Sequence, residues 1–270
     1  MKIGIFAKTF PGSNPETVLS AARDAGFDGV QYNLACSGLA PMPDALTNAQ
    51  SALVADAART TGQPILALSG TWNMIHPDPA QRALGHRRLA VLAAQAATMG
   101  TRLITLCTGT RDPVDQWRHH NDNLSPGAWS DLLTSFEVAI ATADRHDILL
   151  GVEPELANVV NSAAAARRLI DTLQSPRLRI VLDPANLFET ESDHGDIIAR
   201  AVDLLADRIV MAHAKDRAPD GGFVTAGAGV IDFKSVLQRL DKAGFTGPVV
   251  THGLTAMQAP GVARFLRGLT

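Results

Sequence analysis

Apolar positions along the chain fall into two kinds of run. Short runs that are apolar at nearly every position recur at Lys2–Phe6, Gly29–Tyr32, Ile65–Leu68, Leu103–Leu106, Leu149–Val152, Leu178–Leu182, Ile209–Met211 and Val249–Thr251. Between them lie longer Ala-, Leu- and Arg-rich segments in which apolar residues return every three or four positions. Continuous apolarity marks strands covered on both faces, whereas the 3.6-residue period marks helices with one buried face. The pattern therefore predicts eight strand–helix pairs. Start signals sharpen four of the helices: Asn14-Pro15, Asp78-Pro79, Ser125-Pro126 and Ser162 each set a side-chain acceptor before a helical first turn. Gly26 ends the first of them, and Leu84, Leu89, Leu92, Ala93 and Ala96 form the apolar stripe of the one that follows Asp78.

Eight pairs in 270 residues average about 34 residues each, the size of a βα unit in a closed parallel barrel. An open nucleotide-binding sheet would place GxGxxG or GxxxxGK[ST] after its first strand, and neither motif stands there. The expected fold is α/β, a (β/α)8 TIM barrel forming a single domain over residues 1–270. Composition narrows the class further. Lys plus Arg number 24 against 27 Asp plus Glu, a net charge of −3 that offers no surface for a nucleic-acid partner. Cys36 and Cys107 are too few for a disulfide framework or a paired zinc motif. The opening MKIGIFAKTFPGS lacks the apolar stretch of a secretory signal, and no run approaches the roughly 18 apolar residues of a membrane span. The expectation is a mature, soluble, cytoplasmic protein with no membrane partner.

Catalytic groups of such barrels sit at the C-terminal ends of the strands. Here the fifth strand ends in GVEPE with Glu153 and Glu155, the sixth in VLDPAN with Asp183 and Asn186, the seventh in MAHAKD with His213, Lys215 and Asp216, and the eighth in VVTHG with His252. Each step from Glu153 to Asp183 to His213 to His252 is one βα unit, so four neighbouring strands aim these groups into one mouth. Two carboxylates and two imidazoles make an oxygen and nitrogen donor set for one divalent metal ion. A competing reading stands beside it: Asp183, ahead of Pro184, caps the following turn, and His252 is a satisfied structural histidine.

The ends VEPE, LDPAN and HAKD, and a last strand that begins GPVV, resemble the xylose-isomerase-like TIM-barrel superfamily, the sugar phosphate isomerase/epimerase group. That group includes ketose 3-epimerases, hydroxypyruvate isomerases, inosose dehydratases and the endonuclease IV nucleases. The resemblance implies a Glu, Asp, His, Glu set around one divalent ion, with the two glutamates also moving the substrate proton. Glu153, Asp183 and His213 match its first three members. The fourth departs: where the pattern GxVVxE has glutamate, this chain has GPVVTH with His252. Replacing a carboxylate by imidazole favours Mn²⁺, Zn²⁺, Co²⁺ or Fe²⁺ over Mg²⁺ and makes the site less hostile to an anionic substrate. Nuclease relatives use more zinc ligands, and Asn186 stands where a further histidine belongs in them.

The implied reaction is proton abstraction next to a carbonyl of a small sugar or keto-polyol through a metal-stabilised enediolate, with Glu153 as base and His252 as either a second proton carrier or a neutral ligand. An inosose-dehydratase-like lyase on the same scaffold is the alternative reading, and a non-catalytic sugar-binding barrel the third. Substrate contacts are expected from Lys8, His76, Arg111, Glu155, Asn186 and Lys215, with Gln31, Asn33, Asn73, Thr108 and Thr110 nearby and Trp72 and Trp117 as apolar walls. Asp216 is read as the partner of Lys215, Cys107 as packing, and His119 and His120 as a solvent-facing pair. The long polar segment Thr108 to Trp129 has the length of a lid or a contact between copies of a homo-oligomer.

Overall fold

The computed structural model describes residues 1–187 and 194–270. Among these residues eight parallel strands close into a barrel: β1 (Ile3–Phe6), β2 (Gly29–Tyr32), β3 (Ile65–Ser69), β4 (Leu103–Leu106), β5 (Leu149–Val152), β6 (Leu178–Leu182), β7 (Ile209–Arg217) and β9 (Val249–Thr251). Pairing runs in chain order from β1 to β7, and β9 closes the ring by pairing with both β7 and β1. Eight helices surround it: α1 (Pro15–Asp24), α2 (Asn48–Thr61), α3 (Pro79–Ala96), α4 (Pro126–His146), α5 (Ala163–Leu173), α6 (His194–Leu205), α7 (Phe233–Lys242) and α8 (Ala259–Arg267).

The predicted caps form as their chemistry requires. Asn14 accepts the amide of Thr17, Asp78 that of Ala80, Ser125 that of Ala128 and Ser162 that of Ala165. Gly26 turns the chain at φ +94°, a conformation that disfavours a Cβ. In α3, Leu89, Leu92, Ala93 and Ala96 are buried while Leu84 is half-buried. Gly85 in the same helix is needed for close approach: a Cβ there would lie 2.1 Å from the Trp72 indole.

One expected strand end is corrected. The seventh strand does not stop at Met211 but runs to Arg217, beyond the barrel, where β8 (Phe223–Thr225) pairs antiparallel with it as Lys215 to Thr225 and Arg217 to Phe223. His213 and Ala214 still pair with β9 in the barrel wall, and the polar end Lys215 to Arg217 is tolerated in a strand because it passes that pairing and gains a hairpin partner.

Side chains alternate along a strand, so each inward residue is followed two positions later by another. The floor of the barrel is a small apolar cluster of Ala67, Leu103, Val181, Met211 and Val250, drawn from five strands. Two residues on from four of these lie Thr105, Asp183, His213 and His252. The period of two thus lifts the chain from an apolar floor to a polar mouth.

Candidate active site at the mouth of the barrel

Glu153, Asp183, His213 and His252 each bring one ligand atom to within 4.8 Å of all the others. Asp183 and His213 are buried, and Glu153 and His252 are partly exposed to the cavity above. His213 Nδ1 lies 3.3 Å from Glu153 Oε1. His252 Nε2 lies 3.2 Å from Asp183 Oδ2, and the two imidazoles tilt against each other with centroids 4.6 Å apart. The other Asp183 oxygen accepts the amide of Ala185 at 2.9 Å, so the capping reading and the site reading of this residue hold together.

Charge explains how these groups stay together in a buried place. Burial raises the Asp183 carboxyl, but Lys215, whose Nζ is 3.4 Å away, together with His252 and His213 brings it well below the ordinary range. Burial raises Glu153 as well, and the neighbouring His213 outweighs it, so this carboxyl is also lowered. His213 is raised: burial lowers it, yet Glu153 and Asp183 more than compensate. His252 is lowered, by burial first. The donor set fits a divalent cation on two grounds. Two ionised carboxylates and two imidazoles converge, and His213 Nδ1, fully buried, is oriented so that it makes no hydrogen bond among the described residues.

Around this cluster lies a cavity of about 510 Å³, lined by Lys8, Gln31, Glu155, Lys215, Trp117 and Phe223 among others. Three of the expected substrate contacts therefore face it: Lys8 at the exposed rim, Glu155, and Lys215 in the wall. Burial, and then the charge of Glu153, raise the Glu155 carboxyl. The other three expected contacts are engaged by partners within the protein. His76 sits outside this lining; its Nε2 meets the Pro113 carbonyl at 3.1 Å and its Nδ1 accepts the amide of Asp78, so it braces the start of α3. Arg111 turns away to the Ile75 carbonyl and to Asp131 Oδ2 at 2.7 Å, tying its loop to α4. Asn186 is fully buried with both ends of its amide engaged: Nδ2 donates to Glu153 Oε1 at 2.7 Å and Oδ1 accepts from Lys215 Nζ at 3.1 Å. It ties Glu153 to Lys215 across the site.

Asp216 is not the partner of Lys215. Its two oxygens accept four backbone amides, those of Arg217, Gly227, Gly229 and Ile231, and so shape the turn after β8. Trp72 packs against α3, leaving Trp117 as the tryptophan that lines the cavity. His119 is exposed, His120 accepts the amide of Asp122, and Cys107 is buried with its thiol pushed up by burial. Two contributors have roles that sequence reasoning did not assign: Phe223 is not named there, and Gln31 is named only among the expected substrate contacts. Phe223 lies under Lys215 Nζ, 3.9 Å from the ring centroid, and only the tertiary hairpin places it there. Gln31 Oε1 meets His213 Nε2 at 2.9 Å, and its signal was legible: a lone amide at an inward position of the otherwise apolar β2.

The xylose isomerase-like TIM barrel family model matches residues 19–267. A ketose 3-epimerase of Arthrobacter globiformis is 26% identical over 281 residues, spanning 98% of this chain and 88% of that protein. Among solved structures, the 3-keto-D-glucoside 4-epimerase of E. coli superposes with a TM-score of 0.79 at 20% identity, covering 99% of both chains. The D-psicose 3-epimerase of Clostridium cellulolyticum H10, solved with D-tagatose, superposes with a TM-score of 0.77 at 16% identity, covering 100% of this chain and 99% of that one. At such identities the structural likeness carries the fold, and the family match carries membership over nearly the whole chain. On that match, and on the closed barrel whose strand ends bear Glu153, Asp183 and His213, the chain belongs to the xylose isomerase-like TIM-barrel family.

Proposed function

We propose that the protein is a divalent-metal-dependent isomerase or epimerase of a small sugar or keto-polyol. The observation that carries this reading is the convergence of Glu153, Asp183, His213 and His252 at the floor of the cavity. These four residues would hold the metal ion, with Mn²⁺, Zn²⁺, Co²⁺ or Fe²⁺ preferred over Mg²⁺ because two of the donors are imidazoles. Bound there, a divalent ion acts as a Lewis acid that polarises a substrate carbonyl and acidifies the adjacent C–H. The sugar epimerases named above, which share this fold, supply the reaction class by similarity.

Glu153 is the proton acceptor. Its carboxyl is held ionised, it faces the cavity, and the Asn186 amide fixes one of its oxygens. Lys215 neutralises Asp183 and lines the same wall, where it can donate to a substrate oxygen. Glu155, raised toward its protonated form, offers a hydrogen bond to a hydroxyl. His252 occupies the place of a second carboxylate, which removes one of the two bases that face-to-face epimerisation uses. That substitution favours a second reading, a lyase that expels a β-hydroxyl after a single abstraction by Glu153.

The test is solvent exchange. Metal-loaded protein incubated in D2O with a panel of keto sugars and keto-inositols is expected to exchange the C–H beside the carbonyl, seen by proton NMR, and Glu153→Gln to lose that exchange by about 10²-fold or more. An unsaturated product absorbing in the ultraviolet selects the lyase. Sugar binding with no exchange in any member of the panel overturns both and leaves a non-catalytic sugar-binding barrel.

A further inference from the structure

We propose that Gln31 is a positioning residue that locks His213 in its Nε2–H tautomer, so that the lone pair of Nδ1 faces Glu153 and Asp183. The argument starts at a backbone carbonyl. Leu68 O, in β3, can only accept, and Thr105 Oγ1, in β4, lies 3.4 Å from it. The Thr105 hydroxyl therefore donates to Leu68 and presents its oxygen to Gln31 Nε2, 3.0 Å away. In this arrangement the NH2 end of the Gln31 amide faces Thr105. The opposite end, the carbonyl Oε1, is then the atom 2.9 Å from His213 Nε2, and since a carbonyl only accepts, His213 Nε2 carries the hydrogen.

A neutral imidazole carries one N–H. With Nε2 protonated, Nδ1 is bare, and it is this atom that is buried without a hydrogen-bond partner 3.3 Å from Glu153 Oε1. The relay crosses the barrel, from β3 through β4 and β2 to β7, and its members are buried: Gln31 is 6% exposed, Thr105 3% and His213 4%. All three line the cavity floor with little surface open to it, so the relay is held chiefly by its own hydrogen bonds. The reversed amide would turn its NH2 to His213 Nε2 and move the ring hydrogen to Nδ1, facing Glu153, so the amide orientation and the tautomer are set together. Outer hydrogen bonds of this kind select the ligating nitrogen of a histidine and raise its basicity.

Only the last step, from a bare Nδ1 to a bound ion, rests on the reading of the four groups as metal ligands. The test separates the two. On metal-free, full-length, ¹⁵N-labelled protein at alkaline pH, long-range ¹H–¹⁵N spectra assign the His213 ring by its absence in His213→Gln. The expected result is an Nε2–H tautomer in the wild type, retained in Gln31→Glu, which keeps an acceptor, and mixed or inverted in Gln31→Leu. Co²⁺ affinity, followed by its visible absorption, is expected to fall about 10–100-fold in Gln31→Leu and much less in Gln31→Glu. Thr105→Val, which frees the amide to turn, is expected to mix the tautomers and serves as the second variant should Gln31→Leu not fold. An Nδ1–H tautomer in the wild type, or a wild-type tautomer and Co²⁺ affinity in both Gln31→Leu and Thr105→Val, overturns the proposal. A wild type with the Nε2–H tautomer that binds no Co²⁺ sustains the role of Gln31 and overturns the metal reading instead.

Discussion

Asp183 divides its two oxygens between two tasks, one accepting the Ala185 amide and the other facing His252 and Lys215. Asp183→Asn preserves a cap acceptor but removes the charge that Lys215 and the imidazoles surround. We expect elemental analysis to find metal in the wild type and none in Asp183→Asn, with the variant still folded; metal retained there would remove Asp183 from the ligand set. His252→Glu is expected to keep the ion and shift selectivity toward Mg²⁺, read by competition between Mg²⁺ and Zn²⁺. His86 makes a prediction of another kind. Its ring packs edge-on to Trp72 and its Nε2 meets Ser135 Oγ at 3.3 Å, while its Nδ1 is buried without a partner. Burial, and then the nearby Arg82, lower its pKa below the ordinary value of 6.5. The fold therefore binds this proton less readily than the unfolded chain does, so stability contributed by the neutral ring is complete above about pH 6.5 and is lost as pH falls through the lowered value. Urea midpoints measured from pH 8 down to 5 should fall more steeply for the wild type than for His86→Leu, and parallel profiles would refute the assignment.

The element most altered from expectation is the hairpin of β7 and β8. A polar strand end becomes nine residues of strand because a partner strand folds back onto it, and Asp216 then gathers the four amides of the following turn. Asp216 is fully buried, and Gly229 is packed so closely that a Cβ would come within 2.4 Å of its carboxylate. Asp216→Asn sets an NH2 against at least two amides that need an acceptor. Hydrogen bonds to charged groups are worth about 1.5–3 kcal/mol each, so the expected loss is at least about 2 kcal/mol in urea unfolding. A loss under half of that would show that the turn holds itself. The hairpin also presents Phe223 to Lys215, so the same variant is expected to loosen the cavity wall and raise KM more than it lowers kcat.

At the scale of the molecule, the four candidate ligands come from β5, β6, β7 and β9, a continuous arc of the closed sheet. An ion that binds all four exists only on the folded barrel and stabilises it by mass action. At a concentration of about 100 times Kd the gain is about 2.7 kcal/mol. With about 2–4 °C per kcal/mol for a chain of this size, the melting temperature should rise by about 5–10 °C with Mn²⁺ or Zn²⁺ and return with chelator. Asp183→Asn should show no such rise, and a flat response in the wild type would argue against a site of useful affinity. Among the described residues no helix is long and apolar enough to cross a membrane.

The sequence by itself determined the order and number of the eight strand–helix pairs of the barrel, because each depends on local periodicity and on caps such as Asn14, Asp78, Ser125 and Ser162 that act within a few residues. It also determined which four side chains would meet, since strand ends of a closed parallel barrel converge whatever the loops do. Tertiary structure alone decided the fate of the remaining polar residues. His76, Arg111 and Asn186 carry groups that suit a substrate, yet each is satisfied by a partner 20 to 37 positions away, or by two, as Asn186 is by Glu153 and Lys215. Asp216 likewise lost its presumed partner to backbone amides that only the hairpin brings near. The physical reason is common to all of them: a hydrogen bond is made with whatever donor or acceptor the fold delivers within about 3 Å, and residue type states the capacity to bond without naming the partner.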